Sequence, residues 1–224
     1  MIISGRLAGE NAKEYALREL KENIVSCELK PGTAVSENEL ADQMGISRTP
    51  VREALSDLVK VSIIEIYPQR GSFVSLIDPD LVEEARFMRR VLDTEVIKIA
   101  CDTATDQDIA IMEENIQLQE FYLEKVMPEK ILGLDNEFHR LIYSVAKKDL
   151  IYEIRSTMML HFDRVRTLSV EAVKDIKIVK DHREMLEAIK TGDKTWAGEL
   201  VDKHMARYNV DAKMIREQHP DFFK

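Results

Sequence analysis

The chain has 224 residues, of which 45% are hydrophobic and 33% are charged, with only 8 glycines and 6 prolines. This is a globular composition with too few turn-forming residues for an all-β or disordered chain, so helix should dominate. The net charge of −9 argues against an attraction of the whole surface to nucleic acid or anionic lipid. No apolar run is long enough to cross a bilayer and no signal peptide is recognisable, so we expect a cytoplasmic protein without a membrane partner.

A turn signal at Asp78-Pro79 separates a region of short elements from a region of long helical patterns. We therefore predict two domains, residues 1–77 and residues 78–224. The first carries 9 basic and 11 acidic side chains and the second carries 23 and 30, so most of the negative charge belongs to the second. The two cysteines form no CxxC pair, and neither a disulfide nor a cysteine metal site is indicated.

The first domain begins with two predicted helices. Apolar residues recur at helical spacing over residues 12–27, and Pro31-Gly32 then ends the helix. Ser36 and Glu39 have the spacing of a capping box, in which each side chain binds a backbone N–H at the start of the second helix. Gly45 can adopt the left-handed conformation that closes this helix and leads directly into another. Two helices joined by a tight glycine turn indicate a helix-turn-helix.

A third helix is predicted to begin at Ser47 and to have one apolar and one polar face. The polar, exposed face carries Arg48, Thr49 and Arg52. After this helix, alternating apolar residues on both sides of the turn Pro68-Gln69-Arg70-Gly71 predict a β-hairpin with a basic tip. Helix, helix-turn-helix and hairpin together form a winged helix-turn-helix, whose third helix enters the major groove of DNA.

The two arginines of the third helix could be ordinary solvated charges on an amphipathic helix. Their setting argues against that reading, because a capped helix, a glycine turn, a basic helix face and a basic hairpin tip follow one another in the order of a DNA-binding unit. We therefore predict that this domain binds double-stranded DNA.

The run Ser47-Arg48-Thr49-Pro50-Val51-Arg52-Glu53-Ala54-Leu55, with Gly45 before it and Arg70-Gly71 after it, resembles the GntR family of bacterial transcription regulators. The resemblance implies that Arg48 and Arg52 approach guanine and phosphate and that Arg70 and Gly71 lie at the wing tip. Ser47 and Thr49, at the start of the same helix, also belong to the predicted DNA-binding set. Asn38 stands where many relatives of the FadR-like branch have an arginine that reads a base, and it belongs to the predicted DNA-binding set.

The second domain is predicted to be an all-helical bundle. Its expected helices cover approximately residues 80–102, 106–126, 128–146, 149–168, 173–190 and 193–217. Two apolar stripes are predicted to face the bundle core: Phe87, Val91, Val96 and Ile99 on one helix, and Ile151, Ile154, Met158, Val165 and Leu168 on another. The predicted fold class is thus mostly α, with an N-terminal winged helix-turn-helix and a C-terminal helical bundle.

Four polar residues fall on inward faces of these helices: Asp135, His139, His182 and His204. A single histidine on an apolar stripe is more often a satisfied core residue than a ligand. Burying four such groups without a shared partner would cost on the order of several kcal/mol, whereas one divalent cation satisfies them all. We expect one divalent ion per chain, zinc first, with nickel, manganese or iron as alternatives.

The Asp-x3-His pair, followed by a histidine and by another 22 residues later, also resembles the FCD domain of FadR-like regulators. That resemblance implies a metal at the floor of a cavity that receives a small organic acid. Arg89-x-x-Leu92-Asp93 is similar to the Arg-x-x-Leu-Glu motif of that domain, and Arg89 would clamp a carboxylate, since a guanidinium can hold both of its oxygens at once. The alternative for Arg89 is a surface salt bridge. His161, as core or cavity wall, and His219, in a tail expected to be exposed, are not assigned to the metal.

The leading hypothesis is a metabolite-responsive transcription regulator, most often a repressor in this family, that acts as a homodimer on a near-palindromic operator. An alternative is a DNA-binding regulator whose metal is purely structural and which has no small-molecule effector. An enzyme is a third possibility, since an Asp/His set can activate water, but no inward general base accompanies it. We therefore expect no enzymatic activity.

Overall fold

The computed structural model describes residues 1–125, 127–172 and 177–224. These residues form a mostly helical chain with one small sheet, which confirms the predicted fold class of a winged helix-turn-helix followed by a helical bundle. The N-terminal elements are α1 (Ala12–Val25), β1 (Ala34–Val35), α2 (Glu37–Met44), α3 (Arg48–Lys60), β2 (Ile64–Tyr67) and β3 (Gly71–Val74).

The hairpin strands belong to a three-stranded antiparallel sheet in the order β1-β3-β2. Ile64 lies opposite Val74 and Tyr67 opposite Gly71, as the alternating pattern of the hairpin predicts. The third strand, β1, was not predicted, because two residues are too few to show a periodicity. It pairs Val35 with Ser72 directly before α2 begins.

The glycine turn forms as predicted, whereas the capping box does not. Gly45 ends α2 in the left-handed conformation, with a φ of 66°. Ser36 and Ser47 are the N-cap residues of α2 and α3, but neither side chain makes a capping hydrogen bond. The capping-box prediction for Ser36 was therefore wrong. The pairing of β1 already holds the chain at this point, and acidic residues in the first turn of α2 complement the positive helix end.

The C-terminal elements are α4 (Pro79–Thr103), α5 (Asp106–Glu124), α6 (Pro128–Val145), α7 (Asp149–Met158), α8 (Leu160–Ala172), α9 (Ile178–Thr191), α10 (Lys194–Ala206) and α11 (Tyr208–Gln218), followed by a 3-10 turn at Pro220–Phe222. Two predicted helices, 149–168 and 193–217, are each divided into two. Residues 126 and 173–176, which fall within predicted helices, lie outside the described residues. Within the described ranges, no helix combines the length and the apolar character that a membrane span requires.

Buried apolar side chains of the described residues form two clusters, one in the winged helix-turn-helix and one in the helical bundle. Helix α8 contributes to both. Leu160, at its start, packs into the N-terminal cluster, whereas Val165 and Leu168 pack into the cluster of the bundle. The two parts of the chain are thus joined through a shared helix as well as through the linker after β3.

The two apolar stripes predicted to be core are only partly buried. Val96, Val165 and Leu168 are buried. The prediction was wrong for Phe87 and Val91 on α4 and for Ile151, Ile154 and Met158 on α7, all of which are exposed. A helical repeat of apolar residues marks a face that avoids water, but it does not reveal whether the same chain covers that face. Phe87 and Met158 line a shallow groove on this uncovered surface.

Replacing Gly45 by alanine should destabilise the protein by about 1–2 kcal/mol, because alanine disfavours the left-handed conformation that this turn requires. A Cβ at this position would meet no atom within 4 Å, so the change tests backbone conformation alone. Gly133 in α6 also has open space, and Gly133→Ala should stabilise by about 0.5–1 kcal/mol because the residue is helical. Urea unfolding measures both. Equal effects of the two substitutions would contradict the role of the turn.

Candidate DNA-binding face and metal centre

The exposed face of α3 carries the residues that the sequence assigned to DNA. Its apolar stripe, including Val51 and Leu58, is buried against the rest of the winged domain. Arg48 and Arg52 therefore point outward, with side chains 57% and 63% exposed. Thr49 and Ser47 are also exposed, at the start of the helix.

Glu37 of α2 pairs with both exposed arginines. Its carboxylate lies 3.4 Å from Nη2 of Arg48 and 3.0 Å from Nη2 of Arg52. The hydrogen bond from Arg52, helped by the charge of both arginines, lowers the pKa of Glu37. Sequence reasoning missed this residue, although its place in the first turn of the helix before the glycine turn is a usable signal. The contact gives the two guanidinium groups a defined direction in the absence of DNA.

The wing brings a third arginine to the same side of the molecule. The guanidinium of Arg70 stacks near the rings of Tyr67 and Phe73, at 5.5 and 5.8 Å from their centroids. Gly71 has a φ of 100°, which a residue with a side chain rarely adopts. Five of the seven predicted DNA-binding residues line one open groove: Asn38, Arg48, Arg52, Arg70 and Gly71. Ser47 and Thr49 lie outside its lining.

The four predicted metal ligands meet inside the helical bundle. Asp135 and His139 come from α6, His182 from α9 and His204 from α10, and all four are buried. One potential ligand atom of each lies within 4.8 Å of those of the others. The Oδ1 atom of Asp135 is 3.4 Å from Nε2 of His182 and 4.0 Å from Nε2 of His204.

Each histidine turns its other ring nitrogen toward a buried acceptor outside the cluster. Nδ1 of His182 is 2.8 Å from Oε1 of Gln119, Nδ1 of His139 is 3.4 Å from Asp93, and Nδ1 of His204 is 3.6 Å from Asp181. Such outer partners orient metal-binding imidazoles and fix which nitrogen carries the proton. Within the described part of the chain, the Nε2 atoms of His139 and His182 make no hydrogen bond, and the contact of His204 Nδ1 with Asp181 is too long to be one. The cluster can therefore hold a divalent ion.

The protonation states also suit a cation. Burial lowers the pKa of His204 to about 4 and that of His139 well below its ordinary value, so both rings are neutral at pH 7 and offer a lone pair. Burial opposes ionisation of Asp135, but the charge of Arg166 and contacts with the histidines outweigh it. The pKa of this carboxyl therefore lies well below its usual range, and the group is a carboxylate.

A cavity of about 90 Å³ opens beside the cluster and is bordered by Asp135, His204, Arg89 and Arg166. Arg89 is 2% exposed, which rules out a surface salt bridge. Its Nε lies 3.1 Å from Asp93 and its Nη2 lies 3.9 Å from Asp135. Arg166 of α8 contacts Asp135 directly. The sequence indicated Arg89 but not Arg166, whose partner is 31 positions away in the chain.

A winged helix-turn-helix joined to a helical domain with a buried polar cavity is the architecture of a bacterial transcription regulator. Residues 13–74 match the model of the bacterial regulatory proteins of the GntR family, and residues 84–207, more than half of the chain, match the FCD domain. The chain belongs to the GntR family of transcription regulators and carries an FCD domain. Proteins of this family are not enzymes, which confirms that expectation.

Two relatives and one solved structure illustrate the similarity. The HTH-type transcriptional repressor RspR of Escherichia coli is 28% identical over 207 residues, which cover 92% of this chain and 91% of the relative. An HTH-type regulator from an unstable DNA locus of Streptomyces ambofaciens is 31% identical over 95% of this chain and 89% of its own length. The structure of McbR/YncC of E. coli, at 23% identity, has the same fold, with a TM-score of 0.79 over 93% of this chain and 99% of that one.

Adding Zn²⁺, Mn²⁺ or Ni²⁺ should raise the melting temperature, because an ion that binds only the folded chain stabilises it by about 2.7 kcal/mol at a hundredfold excess over Kd. His182→Ala should abolish most of this shift and the bound metal. His219 lies outside the cluster in the described structure, so His219→Ala is the matched control and should retain both. Thermal melts and elemental analysis check this. A full shift in His182→Ala would contradict the assignment.

Proposed function

We propose that this chain is a metabolite-responsive transcription regulator, acting as a repressor, that binds a near-palindromic operator in the cytoplasm as a homodimer. Residues 1–77 bind DNA, and residues 78–224 bind the effector and dimerise. Asp135, His139, His182 and His204 hold one divalent ion, and a small organic acid binds beside it. The convergence of these four buried side chains at the edge of an arginine-lined cavity carries the proposal.

DNA binding is assigned to Asn38, Ser47, Arg48, Thr49, Arg52, Arg70 and Gly71. Support comes from the groove in which the wing tip and the start of α3 face the same side, with three exposed arginines along it. Arginine can donate two hydrogen bonds to a guanine edge or bind phosphate, so the surface combines readout with charge. A local basic groove also explains how a chain of net charge −9 attracts DNA.

Arg52→Ala should weaken operator binding by about 1–3 kcal/mol if the guanidinium makes one bidentate base contact. The operator can be obtained by selection from random DNA and compared with a scrambled sequence in gel-shift titrations. Arg140 is the matched control, an exposed arginine paired with Glu137 on α6, and Arg140→Ala should leave both affinities unchanged. Equal weakening on both DNAs would assign Arg52 to phosphate, and no weakening would contradict its assignment.

The ion and the acid are assigned to one site because four protein ligands leave two positions open on an octahedral ion. An effector carboxylate can occupy them, with Arg89 as its second anchor and Arg166 beside it. The cavity of about 90 Å³ is small for a ligand site, which favours an acid of few carbons. If the metal were only structural, no small acid would shift the melting temperature of the metal-loaded protein.

A second copy of the chain is assigned to the uncovered apolar surface of α4 and α7. Phe87, Val91, Ile151, Ile154 and Met158 are exposed there. Phe87 and Met158 line one groove there, and an exposed apolar groove of this kind marks an interaction site. Two-fold pairing would bury the same surface of both copies at once and match the symmetry of a palindromic operator.

Val91→Asp should shift the protein from dimer to monomer, because it places a charge within the assigned apolar interface. Leu118 of α5 is the matched control, since it is also apolar and both side chains are 43% exposed. Leu118→Asp should leave the dimer intact. Light scattering behind size exclusion, over a range of concentrations, measures the mass. If Leu118→Asp dissociated the dimer and Val91→Asp did not, the interface would lie on α5 and the assignment to α4 and α7 would be wrong.

A further inference from the structure

Helix α8 contains a buried guanidinium that neither the DNA-binding face nor the metal centre uses. The side chain of Arg164 is fully buried, and none of the described carboxylates pairs with it. Burial lowers its pKa to about 10, so the group stays charged at neutral pH. A buried charge without a carboxylate is costly unless hydrogen bonds satisfy it, so the partners of Arg164 show what holds it in place.

Arg164 binds the main chain where the wing ends. Its Nη1 donates to the carbonyl of Ser75 at 2.6 Å, and its Nη2 is 3.5 Å from the carbonyl of Leu76. Both residues follow β3 and lead into the linker before α4. The same Nη2 donates to Nδ1 of His161, one helical turn earlier in α8, at 2.7 Å.

His161 binds the main chain where the wing begins. Its Nε2 lies 3.1 Å from the carbonyl of Ser62, two residues before β2. Burial lowers the pKa of His161 to about 4, so the ring is neutral at pH 7. A neutral ring can donate from Nε2 to Ser62 and accept from Arg164 at Nδ1. One turn of α8 thus holds both ends of the wing hairpin.

The last residues of the chain strengthen the same junction. The amide of Ile77 donates to the carbonyl of Phe222 at 2.8 Å, and the amide of Lys224 donates to the carbonyl of Ile77 at 3.1 Å. The ammonium group of Lys224 lies 3.2 Å from both Glu65 of the wing and Asp78 at the start of α4. The tail expected to be exposed is therefore docked on the linker between the two parts of the chain.

The opposite side of α8 reaches the candidate metal centre, because Arg166 contacts Asp135. We infer that Arg164 and His161 are positioning residues that fix the wing to α8, so that a change of partner at the Asp135–Arg166 contact is transmitted to the DNA-binding domain. This inference rests on the proposed function in one respect, namely that the signal originates at the metal centre. The connection between α8 and the wing does not depend on that proposal, because it consists of the hydrogen bonds of Arg164 and His161. A shared helix with a defined contact on each of two sides is the kind of element that can couple two sites.

The test compares the full-length wild type with Arg164→Gln, which removes the charge and the donors to Ser75 and Leu76. His161→Phe is a second variant of similar volume that removes both ring hydrogen bonds, in case the first variant does not fold. Arg140→Gln, which alters an exposed and carboxylate-paired arginine of the same domain, is the control. Hydrogen exchange of peptides covering residues 62–77 is measured with and without saturating Zn²⁺, and bound metal is determined by elemental analysis.

In the wild type and the control, Zn²⁺ should slow exchange at residues 62–77 as well as in α6, α9 and α10. In the junction variants, bound metal and protection of these helices should persist, whereas the slowing at residues 62–77 should fall at least threefold. Slowing at residues 62–77 that is equal in variants and wild type would overturn the inference. An absence of slowing there in metal-loaded wild type would overturn it as well.

A metal-free arm separates this inference from the proposed metal site. Trp196 of α10 is the single tryptophan and reports on the helical domain by its fluorescence. Unfolding is followed in urea without added metal. In the wild type, the change in tryptophan fluorescence and the loss of hydrogen-exchange protection at residues 62–77 should occur at the same urea concentration. In Arg164→Gln and His161→Phe, they should occur at different urea concentrations. If the wild type binds no metal, the proposed metal site is wrong, but this metal-free comparison still tests the inference about Arg164 and His161. Coincident transitions in the junction variants would overturn the inference.

Discussion

The helical domain depends on the neutralisation of charge inside its core. Arg89, Asp93 and Asp135 are almost fully buried within one bundle, and each has a partner of opposite charge. Arg155 adds contacts with two tyrosine rings, at 5.2 and 4.8 Å from their centroids. Breaking one such buried pair costs about 3–5 kcal/mol, so the groups can only be understood together. The four candidate ligands are the part of this network in which one carboxylate and three imidazole rings converge.

This constraint explains how a polar cavity can exist in a small domain. The nearest outer partners of the three histidines lie on α4, α5 and α9, so each ring faces a helix other than its own, and His182 is hydrogen-bonded to its partner. Rigid orientation lowers the entropy that a ligand would otherwise have to remove on binding. The helices around the centre are therefore positioned by polar contacts as well as by apolar packing.

Much of the fold could be predicted from local patterns. Gly45 marks the end of α2, and the turn before Gly71 marks the tip of the hairpin. The i, i+4 spacing of Asp135 and His139 puts both on one helix face. These features depend on neighbours in the sequence. The capping box at Ser36 failed because a strand contact from a distant residue already held the chain.

The unpredicted parts of the site depend on contacts between distant segments. Gln119 meets His182 across 63 positions, and Arg166 meets Asp135 across 31, so no local spacing reveals either pair. The apolar faces of α4 and α7 show a different limit. Phe87 and Ile154 follow the same helical repeat as buried residues, and the repeat alone does not show whether the chain covers that face.

The short strand β1 constrains how the regulator can respond to a signal. It pairs with the wing strand β3 and is followed one residue later by α2, so the wing and the helix-turn-helix share a backbone connection. A tilt of the wing away from the start of α2 would have to break this pairing. The wing and the helix-turn-helix are therefore expected to move together, as one unit that keeps the same DNA-facing surface. In the proposed homodimer, such a movement would change the distance and angle between the two units, and with them the spacing of half-sites along the double helix that the dimer fits.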